Sequence, residues 1–329
     1  MLNNHAAPGS IEWEHTLQGR ICMTTSPIVE SVFSLLIMII VGAYSARRKI
    51  LTPELSRGLV QILIEIALPF MILASFMFSY APEIRANVIK AFYYSLAAYL
   101  ITIAVSRLLL LPIPPRRKLV LHFANVFSNT GYVGFPILNA VYGAEGVVYG
   151  SIFNMFFVML VWTYGITLYR GPLDRNNYSS ELKAVLLNPS ILAVAAGLIT
   201  MFFGIQLPSP ILLGVRSLGN MTGPLSMLII GSILAKVKLR DHIRDWTLYY
   251  GAITKLVVIP LVIYACALLV GRSSMVLNTV VIMTAMPAST MTSIFAERYA
   301  VEQEYAAVIV SATTLLSLIS VTGLLRLLT

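Results

Sequence analysis

Apolar positions along this chain fall into long unbroken runs separated by short polar stretches. The runs lie at about 27–46, 57–79, 87–111, 119–140, 145–169, 186–205, 211–235, 246–270, 276–297 and 303–327. Each is close to the roughly 20 residues that a helix needs to cross a bilayer core. The pattern predicts an all-α polytopic membrane protein with ten transmembrane helices. The polar stretches are too short to hold a soluble domain. Residues 1–26 form a polar tail with Glu12, His15 and Arg20, and lack the apolar stretch of a signal peptide. Translation from Met1 keeps this tail, and translation from Met23 removes most of it.

Composition sharpens the class. Of 329 residues, 58% are hydrophobic and 11% charged, where a soluble protein carries about 45–50% and about 25%. A soluble globular enzyme, a disordered chain and a coiled coil are excluded. The net charge of +9 is not read as a nucleic-acid footprint, because cytoplasmic loops of membrane proteins collect Lys and Arg. With the N-terminus outside, sixteen of the 23 basic residues fall on inward loops and six on the other side, and Lys255 falls inside a span. The expected placement is multi-pass in the cell membrane with both termini non-cytoplasmic. Cys22 precedes the spans and Cys266 lies within one, so no disulfide framework is expected. No phosphate-binding G-x-x-x-x-G-K-[ST] motif occurs, which removes transport driven by the chain's own nucleotide hydrolysis. The four histidines are scattered and no H-E-x-x-H or C-x-x-C is present, so neither a catalytic nor a metal site is expected.

An internal repeat emerges at a shift of about 155 residues. Gly42 falls on Gly197, Pro53 on Pro208 and Pro69 on Pro224, then Tyr93-Tyr94 on Tyr249-Tyr250, Tyr142 on Tyr299 and Glu145 on Glu302. The units are a five-helix repeat at 27–169, a cytoplasmic linker at 170–185 and a second five-helix repeat at 186–329. An odd number of spans inverts the second unit relative to the first, the plan of many secondary transporters.

Two spans carry helix-breaking chemistry at matching places. The fourth contains Asn129-Thr130-Gly131-Tyr132-Val133-Gly134-Phe135-Pro136. Its glycines loosen the helix, and Pro136 lacks an N–H and clashes with the preceding turn. The ninth contains Thr284-Ala285-Met286-Pro287-Ala288-Ser289-Thr290. A helix broken at membrane depth frees backbone groups that survive only in protein or facing a wet cavity. The N–H groups that open the second half-helices suit a carboxylate. The expected substrate site is therefore Asn129, Thr130, Gly131, Pro287, Ala288, Ser289 and Thr290, with Gly134, Pro136, Pro69 and Pro224 shaping the helices.

The stretch Asn129 to Pro136 resembles the N-x-G-x-x-G-x-P motif of the auxin efflux carrier family. The stretch from Ala285-Met286-Pro287 through Phe295-Ala296-Glu297-Arg298-Tyr299 is similar to that family's second crossover, and Asn188-Pro189-Ser190 to the start of its second half. The resemblance runs from about residue 27 to the end. The short central loop, 170–187, looks like that of a bacterial member, a group associated with dicarboxylates such as malonate or malate. The resemblance implies a scaffold of spans 1, 2, 6 and 7, a transport domain of spans 3–5 and 8–10 with crossed helices, elevator-type movement and a homodimer. It implies that Asn129 offers its side-chain N–H to a substrate carboxylate.

Other polar residues at membrane depth need a reason. Glu65, whose repeat partner is Asn220, reads either as a buried coupling carboxyl facing the scaffold surface or as a structural group bonded to another helix. Lys255 reads as neutralising an organic anion, pairing with Glu65, or snorkelling to the interface. His122 is expected to bond a neighbouring helix. No cofactor is expected; coupling to H+ or Na+ stays open. The expectation is a secondary carrier of small organic anions in the lipid bilayer. The alternatives are a sodium-coupled symporter like the bile acid carriers, and a channel or sensor on the same fold. A membrane-embedded enzyme would need acidic residues and histidines clustered at one depth, and here they are scattered.

Overall fold

A helix is the cheapest way for an apolar run to satisfy its own backbone in lipid, and the apolar runs are helical in a computed structural model of the protein. The described residues are 27–77, 82–170, 183, 186–235, 244–270 and 274–328. The expected tail at 1–26 and nearly all of the expected linker lie outside them. In chain order the helices are α1 (Pro27–Arg47), α2 (Pro53–Phe76), α3 (Pro82–Leu109), α4 (Pro115–Val126), α5 (Thr130–Tyr169), α6 (Pro189–Phe203), α7 (Ser209–Asn220), α8 (Thr222–Leu234), α9 (Trp246–Leu269), α10 (Met275–Ala285), α11 (Met291–Arg298) and α12 (Gln303–Leu328). Among the described residues there is no strand, only one isolated bridge between Ser128 and Ala288. Five helices are long and apolar enough to cross a membrane: α2, residues Ala86–Leu109 of α3, α5, α9 and α12.

The 40-residue α5 would be about 60 Å long if straight, twice the bilayer core. It is not straight. Gly143 takes φ 61°, ψ −151°, a conformation that essentially only glycine adopts, and the chain folds back there. Thr130 and Asn154 are 24 residues apart yet share a 2.7 Å hydrogen bond.

Small residues set the closest helix contacts, as membrane helices without a hydrophobic drive between them require. A Cβ on Gly42 would strike the backbone of Leu228, and one on Gly231 the backbone of Ile39 and Ala43, so α1 and α8 touch main chain to main chain. The C-terminal half of α2 packs on α6 and α7. Arg117, at the start of α4, pairs with Asp245 Oδ2 at 2.6 Å and lies over the Tyr305 ring, tying the starts of α4, α9 and α12. Large apolar side chains such as Ile40, Leu108, Leu269 and Ile319 point outward, the last two 88% and 75% exposed, as lipid-facing positions would.

Candidate binding site at two helix breaks

The first break begins where α4 gives way to extended backbone at Phe127 (φ −102°, ψ 101°). Ser128 and Asn129 follow before α5 opens in a wide π-helical turn over Thr130–Gly134. Asn129 closes that turn by accepting from the Tyr132 N–H at 3.2 Å. Its side-chain oxygen thereby caps the turn. The second break follows α10: Met286 is extended (φ −61°, ψ 150°), and α11 resumes at Met291 after Thr290.

The breaks satisfy each other. Asn129 N–H donates to Pro287 O at 2.7 Å, and Ser289 N–H donates to Phe127 O at 2.9 Å. This is a two-bond antiparallel bridge inside a helical protein. Ser128 Oγ donates to Thr284 O at 3.1 Å, and Ala288 N–H donates to Thr313 Oγ1 at 3.2 Å. Backbone groups freed by breaking each helix thus find partners across the other break or on α12. Phe123, Phe127 and Phe295 stack behind them, with Phe123 at centroid distances of 4.4 Å and 4.9 Å from the other two.

A cavity of about 90 Å³ opens on one side of this bridge. Asn129, Thr130, Gly131, Ser289 and Thr290 line it, so most of the expected site residues come together. Pro287 and Ala288 do not line it and contribute backbone from behind. Asn154, Asn188, Ser190 and Trp162 also line it, with apolar side chains such as Leu68, Phe157 and Val161. Asn154, buried and accepting from Thr130 Oγ1, went unread in the sequence, although a lone asparagine inside a span signals a polar contact. Trp162 gave no signal beyond an aromatic in an apolar run. No charged side chain lines this cavity.

A larger cavity, about 450 Å³, borders the same leg of α5 further along. Pro136, Asn139, Asn220, Pro224 and Arg216 are among its lining residues. Gly134 packs on α10, where an added Cβ would meet Met283 Sδ at 2.8 Å.

Three residues stand elsewhere than expected. Glu65 is exposed on α2, accepts a 3.2 Å bond from Gln61, and lines neither of these cavities. The expectation of a buried carboxyl fails because this face of α2 points away from the bundle. Lys255 does not snorkel and does not pair with Glu65. It is completely buried and donates to Ser128 Oγ at 2.7 Å, Asn125 O at 3.0 Å and Thr284 O at 3.5 Å. Pro69 does not break α2. A π-helical turn over Leu63–Ala67 absorbs it, with the Leu68 N–H reaching back to Leu63 O. His122 bonds Ser106 of α3 at 2.9 Å and Tyr164 of α5 at 2.7 Å, a helix-to-helix role.

Long apolar helices around two paired breaks define a membrane protein of the transporter class. The family of membrane transport proteins matches residues 27–325, and the chain belongs to it; this is the auxin efflux carrier family. The chain is 24% identical over 306 residues to an uncharacterized transporter of Methanocaldococcus jannaschii, covering 88% of this chain and 96% of the relative. It is 29% identical over 211 residues to a "putative malonate transporter" of Rhizobium meliloti, covering 62% and 65%. An uncharacterized transporter of Methanothermobacter thermautotrophicus is 22% identical over 200 residues, covering 60% and 64%.

Proposed function

We propose that this membrane transporter is a secondary carrier of small organic anions, dicarboxylates such as malonate or malate among them. In this reading the ten apolar runs form two inverted five-helix repeats, 27–169 and 186–329, whose broken helices cross at the binding site. The observation that carries the reading is the paired break, with Asn129, Thr130, Ser289 and Thr290 brought from two distant stretches to one largely apolar cavity that no charged side chain lines. Two cavities bordering the same leg of α5 suit elevator-type alternating access, in which one site is exposed to each side in turn. The malonate named for the Rhizobium relative supports the substrate class. A homodimer in the bilayer, with both termini outside, completes the proposal.

The test is a melting-temperature screen of the purified protein against mono-, di- and tricarboxylates, followed by uptake of any hit into proteoliposomes. A ligand that binds the folded state raises Tm. A rise with one dicarboxylate and uptake of the same compound are expected. No response to any carboxylate would overturn the anion reading.

A further inference from the structure

Lys255 is the most unusual side chain in the molecule. It is a lysine amine with zero exposure inside the apolar stretch of α9. Among the described residues no carboxylate lies within 4.0 Å of it. What surrounds it is oxygen without formal charge: Asn125 O, Thr284 O and Ser128 Oγ. Asn125 lies in the last turn of α4 and Thr284 in the last turn of α10. The ammonium therefore sits where the C-terminal ends of both first half-helices converge, the negative ends of two helix dipoles. In transporters with discontinuous helices, such carbonyl ends and unwound backbone are where a coupling Na+ is held. A π-helical turn over Thr254–Val258 carries Lys255, with Ile259 N–H reaching back to Thr254 O ahead of Pro260.

We propose that the oxygen cage between the two breaks is a monovalent-cation position which the protein fills with its own tethered ammonium, Lys255. Lys255 is then a positioning residue. It holds both half-helix ends in register without touching substrate, since it does not line the small cavity. The carrier needs no sodium to assemble its site. This rests on the carrier reading for its meaning in transport, but the cation position itself can be tested without substrate.

The experiment compares the full-length protein with Lys255→Ala and Lys255→Met by melting temperature in choline, sodium, potassium and ammonium chloride at equal ionic strength. The unaltered protein should melt within about 1 °C in all four salts. Lys255→Ala should melt lower in choline and recover roughly 3 °C or more in ammonium or sodium as the small cation enters the vacated cage. Lys255→Met refills the volume without charge, so it should stay low and respond to no salt. A salt-independent Lys255→Ala, or full recovery by Lys255→Met, would assign Lys255 to packing and overturn the proposal. So would failure of Lys255→Ala to fold even in ammonium, because a free cation should then replace the tethered one. In proteoliposomes loaded with a carboxylate found by the screen, uptake should be equal in sodium and choline, and sodium-dependent uptake by the unaltered protein would also overturn it. If no carboxylate is carried while the salt response of Lys255→Ala appears, the carrier reading fails and the cation position stands.

Discussion

At Asn129 two jobs fall to two ends of one side chain. The oxygen caps α5, the residue lines the cavity, and in the carrier reading the amide nitrogen is the donor to a carboxylate. Substitutions can separate them. Asn129→Asp keeps the capping oxygen and replaces the donor with a like charge. It should leave Tm nearly unchanged and abolish carboxylate binding. Asn129→Ala removes both, costing about 1 kcal/mol of stability for the cap. Binding should fall by about 10- to 100-fold for one charge-assisted hydrogen bond. Titration of the Tm response with the carboxylate measures both, and an Asn129→Asp protein that binds normally would remove Asn129 from the site. Glu65 carries the opposite expectation. Exposed on α2 and bonded to Gln61, it lines neither of the two cavities described. Glu65→Gln should leave the pH profile of uptake unchanged, and a flattened profile would return that carboxyl to coupling.

Elements here are shaped by where proline and glycine are absorbed. Pro69, Pro136 and Pro260 each follow a π-helical turn whose closing N–H bonds five residues back. A proline cannot donate and its ring crowds the previous turn. Widening the turn before it keeps the helix continuous through the membrane. Proline alone was thus a poor guide to a break: α2 and α9 run on, whereas the segments at 127–129 and 286–290 leave the helix. Gly143 is the opposite case, a true reversal in a long apolar stretch. An added Cβ there meets nothing within 4 Å, so Gly143→Ala is a purely conformational change. It should destabilise by about 1–3 kcal/mol, read as a lowered Tm with uptake retained in the folded fraction. An unchanged Tm would mean that the reversal does not depend on the left-handed backbone. At Gly231 the constraint is contact instead, since any side chain meets α1 backbone. Gly231→Val should cost more than Gly143→Ala in the same assay.

For the whole molecule, the charge distribution makes the sharpest claim. If the basic loops face the cytoplasm, a cysteine at exposed Arg116 in a background lacking Cys22 and Cys266 should react with an impermeant thiol reagent only in inside-out vesicles. Labelling of intact cells would reverse the topology. The Arg117–Asp245 pair on the same surface is partly exposed, and pairs of that kind contribute about 0–1 kcal/mol. The bundle therefore depends on close packing such as that between α1 and α8, and on the backbone exchange between the breaks.

The chain alone determined where the apolar runs lie, and that the stretches around Asn129 and Ser289 carry helix-breaking chemistry. Those features are local, carried by hydropathy over about 20 residues and by the backbone chemistry of Gly, Pro and Asn. Tertiary structure decided the rest. It turned Glu65 outward and Lys255 inward, joined Thr130 to Asn154 across the Gly143 reversal, and set Phe127 opposite Ser289, 162 positions along the chain. An apolar run looks alike on every side of its helix. Which side meets protein and which meets lipid is fixed by contacts between helices, and those exist only once the bundle has assembled.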